Sequence, residues 1–153
     1  MILVLSALMG IVAGLRAMTA PAAVSWAASL GWIKLGDSWL AFMGYRWTPW
    51  IFTALALVEF VTDQLPSTPS RKVPQQFGAR IVSGALCGAA LGSPSGMLVG
   101  GLVAGIVGAV IGTYGGAAAR KALADVFGRD LPPGLIEDAV AIAGALAIVW
   151  SLA

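Results

Sequence analysis

The sequence predicts an all-α fold, a polytopic transmembrane helical bundle of about five spans. Three observations point there. Of 153 residues, 59% are hydrophobic and only 10% charged, where a soluble domain carries about 25% charged residues. Mean hydropathy is +0.90. The apolar stretches are long, rich in Ala, Gly and Leu, and free of two-residue alternation, whereas a membrane β-barrel would alternate over segments of about ten residues. The chain reads as a single transmembrane domain, 1–153, and belongs by this pattern in an inner (plasma) membrane.

The first span covers about 1–30, too long for one straight crossing of about twenty residues. It is broken at Gly14-Leu15-Arg16-Ala17-Met18-Thr19-Ala20-Pro21, where the proline lacks a backbone donor and disfavours helix at the residue before it. The result is a kinked, broken or re-entrant helix. Residues 31–48 form an interfacial loop that leads with Trp47 and Trp50 into the next span. Trp32, Trp39 and Tyr45 lie in the loop with Lys34 and Arg46, and rings of this kind gather at the headgroup level.

The second span, 49–65, is apolar except for Glu59 and Asp63. A stiff loop with Pro66, Pro69 and Pro74 follows. The third span covers 75–91, the fourth 96–119 and the fifth 133–153, with a charged connection at 120–132 that has room for a short helical turn. Small residues recur every four positions in the fourth span (Gly96, Gly100, Ala104, Gly108, Gly112, Gly116) and in the third (Gly84, Gly88, Gly92). Such stripes let helix backbones approach closely where lipid provides no hydrophobic drive between helices. They equally suit a homodimer. Spans one and two faintly echo spans four and five, an offset that would invert the topology as in transporter repeats.

Basic residues set the orientation. Arg71, Lys72 and Arg80 near one loop and Arg120, Lys121 and Arg129 near another share a side, against Lys34 and Arg46. With five spans, the positive-inside rule places the N-terminus in the cytoplasm and the C-terminus outside.

The charges inside the spans carry the functional signal, because a central charge costs roughly 2.5–3.5 kcal/mol on insertion scales. Arg16, Thr19, Glu59 and Asp63 are the candidate substrate-binding residues at the helix break, with Arg16 and Glu59 close enough in depth to form a buried pair. Arg80, Arg120, Glu137 and Asp138 form a second polar cluster nearer the cytoplasmic boundary. There the arginines can snorkel to headgroups, and the two acids can face the positive end of the fifth helix after Pro132-Pro133. The chain has no histidine and one cysteine, Cys87, which reads as a small buried hydrophobe. Neither a metal nor a cofactor is expected, and the net charge of +2 does not suggest nucleic acid.

The pattern Glu59-x-x-x-Asp63-x-x-Pro66, with the break at Gly14-Leu15-Arg16 and the later Arg80, resembles a bacterial membrane-protein family known as domain of unknown function 4126. Gln64 departs from the lysine that often follows the aspartate, which leaves a salt bridge at that position without support. The resemblance implies a membrane-helical protein and no particular activity.

The leading functional reading is a small transporter or channel for an anionic or proton-coupled solute. Arg16 would hold an anion or neutralise the acid, and Glu59 would exchange protons, since burial disfavours its charged form. The alternative is an accessory or assembly subunit of a larger membrane complex whose charges are structural pairs. An enzyme using Asp63, Glu137 and Asp138 around a divalent cation fits least, because the acids lack a catalytic spacing.

Overall fold

The computed structural model describes residues 1–36, 38–62, 73–129 and 131–153. Among these the fold is all-helical. Six α-helices follow in order: α1 (Ile2–Leu15), α2 (Thr19–Ser29), α3 (Thr48–Thr62), α4 (Pro74–Gly92), α5 (Leu98–Phe127) and α6 (Leu131–Trp150). Short 3-10 turns cover Trp39–Gly44 and Ser93–Ser95. Two helices, Leu98–Phe127 and Pro132–Trp150, are long and apolar enough to cross a membrane, and Ile2–Leu15 and Thr48–Thr62 are shorter apolar helices.

The direction of α2 decides the architecture. Helix α1 runs antiparallel to α4, with the Ser6 hydroxyl donating to the Gly88 carbonyl and Arg80 donating to Gly14. It also runs antiparallel to α6, since Val12 lies against Gly144 and Arg16 meets Asp138. The start of α1 therefore lies at the Trp150 end of α6. Just beyond α2, Trp32 packs edge-on against Trp150, with ring centroids 6.0 Å apart. Both ends of the α1–α2 segment thus sit at one end of the bundle, and the segment is a helical hairpin. The chain termini consequently share an end, which corrects the expectation of opposite ends.

Pro21 is not the hinge. The chain turns at Arg16–Met18, where Arg16 is extended (φ −142, ψ 114), and Pro21 lies inside the first turn of α2. There the missing N–H costs little. The Ala17 carbonyl, four residues before the proline, receives the Ser83 hydroxyl instead at 2.5 Å.

Helices α1, α4 and α5 form the tightest part of the bundle. The buried face of α5 is made of Gly101, Gly105, Gly108, Ala109, Gly112 and Thr113. A Cβ on Gly105 would collide with the Gly84 carbonyl of α4, and one on Gly108 with the Ala7 carbonyl of α1. The register differs from the predicted stripe: Gly96 lies before the helix in a left-handed turn (φ 72), and Gly100 faces the Leu3 side chain. Helix α5 also runs through Arg120 and Lys121, where a loop is expected. The segment Ala117 to Ala124 is rich in strong helix formers, and Gly128, at φ 75, ends the helix. At the tryptophan-rich end, Ile33, Leu35, Leu40 and Met43 are buried, so the interfacial loop closes the bundle there.

Gly105→Val should cost roughly 1–3 kcal/mol by overpacking, seen as a lower unfolding midpoint in detergent. Gly115→Val, at a position with open space around it, should stay within about 0.5 kcal/mol.

Candidate functional site

The hairpin turn leaves two helix ends inside the bundle, and each end lacks intrahelical partners for its last backbone groups. The carbonyls at the end of α1 form a negative pole and the N–H groups at the start of α2 a positive one. Side chains of matching charge meet both. Arg80 Nη1 donates to the Gly14 carbonyl at 2.7 Å, and Arg16 Nη1 donates to Leu15 at 3.1 Å. On the other side, Glu59 accepts from the backbone N–H of Ala17 at 3.0 Å and of Met18 at 3.2 Å.

Arg16 is in turn held by α6. Arg16 is fully buried, and its Nε lies 2.5 Å from Asp138 Oδ1. Its Nη1 is 3.6 Å from Glu137 Oε2, which also pairs with Arg120 Nη1 at 3.3 Å. Glu137 belongs to the inward stripe of α6 that continues through Ala141, Ala145 and Val149. Neither acid occupies the first turn, because α6 begins at Leu131, ahead of the prolines. They serve as counter-ions to α1 and α5 rather than as dipole caps.

The two clusters separated on sequence grounds are therefore one polar layer. It gathers Arg80, Arg120, Glu59, Glu137 and Asp138 from four helices around Arg16 in the turn. By helix rise, the layer lies about 9–10 Å from the starts of α4 and α6 and about 18 Å from the Trp150 end. Arg80 is buried and does not extend to the surface as a snorkelling residue would. Asp63 falls outside the described residues. Thr19 is buried at the start of α2, and its hydroxyl, like that of Thr113 on α5, has no hydrogen-bond partner among the described residues. No group of three or more carboxylate, cysteine or histidine side chains converges as a metal site among the described residues.

Sequence reasoning missed Ser83 and the backbone groups of residues 14–18. A signal for Ser83 was present: it shares a helical face with Arg80 and Cys87, and Pro21 necessarily leaves the Ala17 carbonyl without its helical donor.

Chemically, the layer can hold charge of either sign at a helix break. Residues 3–151 match the family described as Domain of unknown function (DUF4126). No curated protein and no solved structure matches the chain.

Arg16→Met should destabilise the protein by about 3–5 kcal/mol, because it removes the guanidinium that meets Asp138 and Glu137 in a buried setting. Adding Asp138→Leu should recover much of the loss in the same thermal-unfolding assay.

Proposed function

Since the chain belongs to the DUF4126 family, whose description assigns no activity, we propose from the geometry that it is a multi-pass membrane protein. In this reading it carries or conducts a small anionic or proton-coupled solute. The single observation that carries the reading is the helix break in the polar layer. Two helix ends and six ionisable side chains, from the turn and four helices, meet there inside an otherwise apolar bundle. Discontinuous helices of this kind form ion and substrate sites in secondary transporters. Ionisable groups at such depth, where apolar replacements would often be neutral or stabilising, indicate a task beyond stability.

The membrane setting is supported by the outer surface. Leu55, Val58 and Val61 on α3, Val99, Val103 and Val107 on α5, and Val140 and Leu146 on α6 are all exposed. A soluble protein would not leave so many large apolar groups in water. In this setting α3, α4, α5 and α6 cross the bilayer, and α1–α2 enters and leaves on one side. Arg120, Lys121 and Arg129 near the α5–α6 turn, with Arg71 and Lys72 between α3 and α4, outweigh Lys34 and Arg46. The positive-inside rule then puts that end in the cytoplasm and both termini outside. The hairpin reverses the N-terminal side that five spans would give. Within the layer, Arg16 and Arg80 bind the anion and Glu59 exchanges the proton.

A second reading, an assembly subunit with structural charges, is favoured by one observation: Glu59 and Asp138 are already engaged by protein groups. A larger complex retained in mild detergent would support it.

Glu59→Gln should lower proton or anion flux in proteoliposomes at least tenfold, read with an entrapped pH dye under an imposed anion gradient, in protein that still folds although the amide has one acceptor oxygen for the two N–H groups of Ala17 and Met18. Wild-type flux in this variant would remove Glu59 from the mechanism. In a Cys87→Ala background, cysteines at Gly31 and Ser151 should react with an impermeant reagent from the same side, and a cysteine at Lys121 from the opposite side.

A further inference from the structure

Helix α3 is the least embedded of the crossing helices. It packs against α2 and the Trp39–Gly44 turn, and only Pro49 and Ala56 on it are buried. Trp26 fastens it at the lower end, donating from Nε1 to the Thr53 hydroxyl at 2.8 Å and meeting Trp50 edge-on at 5.0 Å. Glu59 fastens it at the upper end. Between these two ties an open groove of about 220 Å³ separates α3 from α6, with α2 behind it. Small residues make the space: Ala22 and Ala23 on α2, Ala56 on α3 and Ala145 on α6. Leu57 and Leu146 also line it while being 59% exposed, so the groove is continuous with the apolar outer surface.

We propose that this groove holds one acyl chain of a bilayer phospholipid whose phosphate lies at Arg46. The inference rests on the membrane reading above. Four observations identify this occupant. First, no wall group offers itself to a polar ligand: the Thr53 hydroxyl takes the Trp26 N–H and donates to Pro49, and the Thr19 hydroxyl is shielded. Apolar cavities of this kind stay dry and accept apolar guests. Second, the volume falls below the roughly 300–1,000 Å³ of sites that enclose a whole ligand. The guest therefore leaves part of itself outside, as a two-chain lipid does.

Third, the groove runs along α3 from Thr53 to Phe60, about 10 Å by helix rise, and its lower end faces the tryptophan-rich end of the bundle. A chain lying in it would point its headgroup there. Fourth, that end carries the matching charge. Arg46 is exposed, lies two residues before α3, and its guanidinium sits 5.1 Å from the centre of the Trp47 ring. A cation on an aromatic ring at this level is placed to meet lipid phosphate. The bound chain would fill the gap between α3 and α6 and brace the helix that carries Glu59.

The test is native mass spectrometry of the full chain in detergent, titrated with dioleoyl phosphatidylglycerol or with dioleoylglycerol, which lacks the phosphate. The wild type should retain one phosphatidylglycerol, with dioleoylglycerol bound at least fivefold less. Ala145→Phe fills the groove, and Leu57→Trp blocks its rim from an exposed position that folding tolerates; each should lower phosphatidylglycerol retention at least fivefold. Arg46→Gln should abolish the preference between the two lipids. Undiminished retention in folded Leu57→Trp would overturn the groove assignment, and equal binding of both lipids by the wild type would overturn the role of Arg46. Failure of the membrane reading itself would register separately, as wild-type protein recovered in the soluble fraction without detergent.

Discussion

The turn at Arg16–Met18 is the constraint on which the rest depends. Ending one helix and starting another inside an apolar bundle leaves backbone carbonyls and N–H groups that water cannot reach. Each such group costs free energy unless it is paired. The chain meets this requirement by polarity: guanidinium groups at the carbonyl pole, a carboxylate at the N–H pole, and a serine hydroxyl where Pro21 provides no donor. Buried Arg16 then requires acids of its own, and α6 presents Glu137 and Asp138. The polar layer follows from a single decision of the backbone.

Close packing makes the turn reachable. Arg80 can donate to Gly14 only if α4 and α1 approach each other, and α5 must fit against both. Glycines at the crossings let carbonyls of one helix lie where another residue would have its Cβ. The resulting core of α1, α4 and α5 is rigid in the sense that few side chains intervene between backbones. Helix α3 differs, being tied to α2 at two points and otherwise facing outward. The bundle therefore combines a stiff three-helix wall with a lighter helix that carries Glu59. The carrier proposed above would use that combination, because alternating access moves one part of the structure against another around a fixed site. The groove between α3 and α6 lies at the same junction.

Much of the fold was legible in the sequence. Hydropathy marked the helical segments, and the expense of buried charge singled out Arg16 and Glu59. Both meet at the break, Glu59 through the backbone next to Arg16. Helix α4 begins and ends within a residue of the expected limits, because Pro74 fixes its start and Ser93-Pro94 its end. The extension of α5 through Arg120 is hidden in the sequence because a cluster of charges also suits a loop, whereas alanine propensity outweighs it here. The join between the two polar clusters was also hidden. Arg80 and Asp138 lie far from residues 14–16 in sequence, and no periodicity within one helix names its partner on another.

The sequence by itself determined that this is an all-helical protein, that its first apolar stretch breaks within residues 14–21, and that its buried charges need partners. Those follow from composition and from the local cost of each residue. Only the tertiary structure decided that the broken helix folds back, that both termini share one end, and that Asp138 rather than solvent faces Arg16. A kinked span and a hairpin have the same hydropathy. They differ only in which distant helices receive the exposed backbone groups, and that is settled by packing across the bundle.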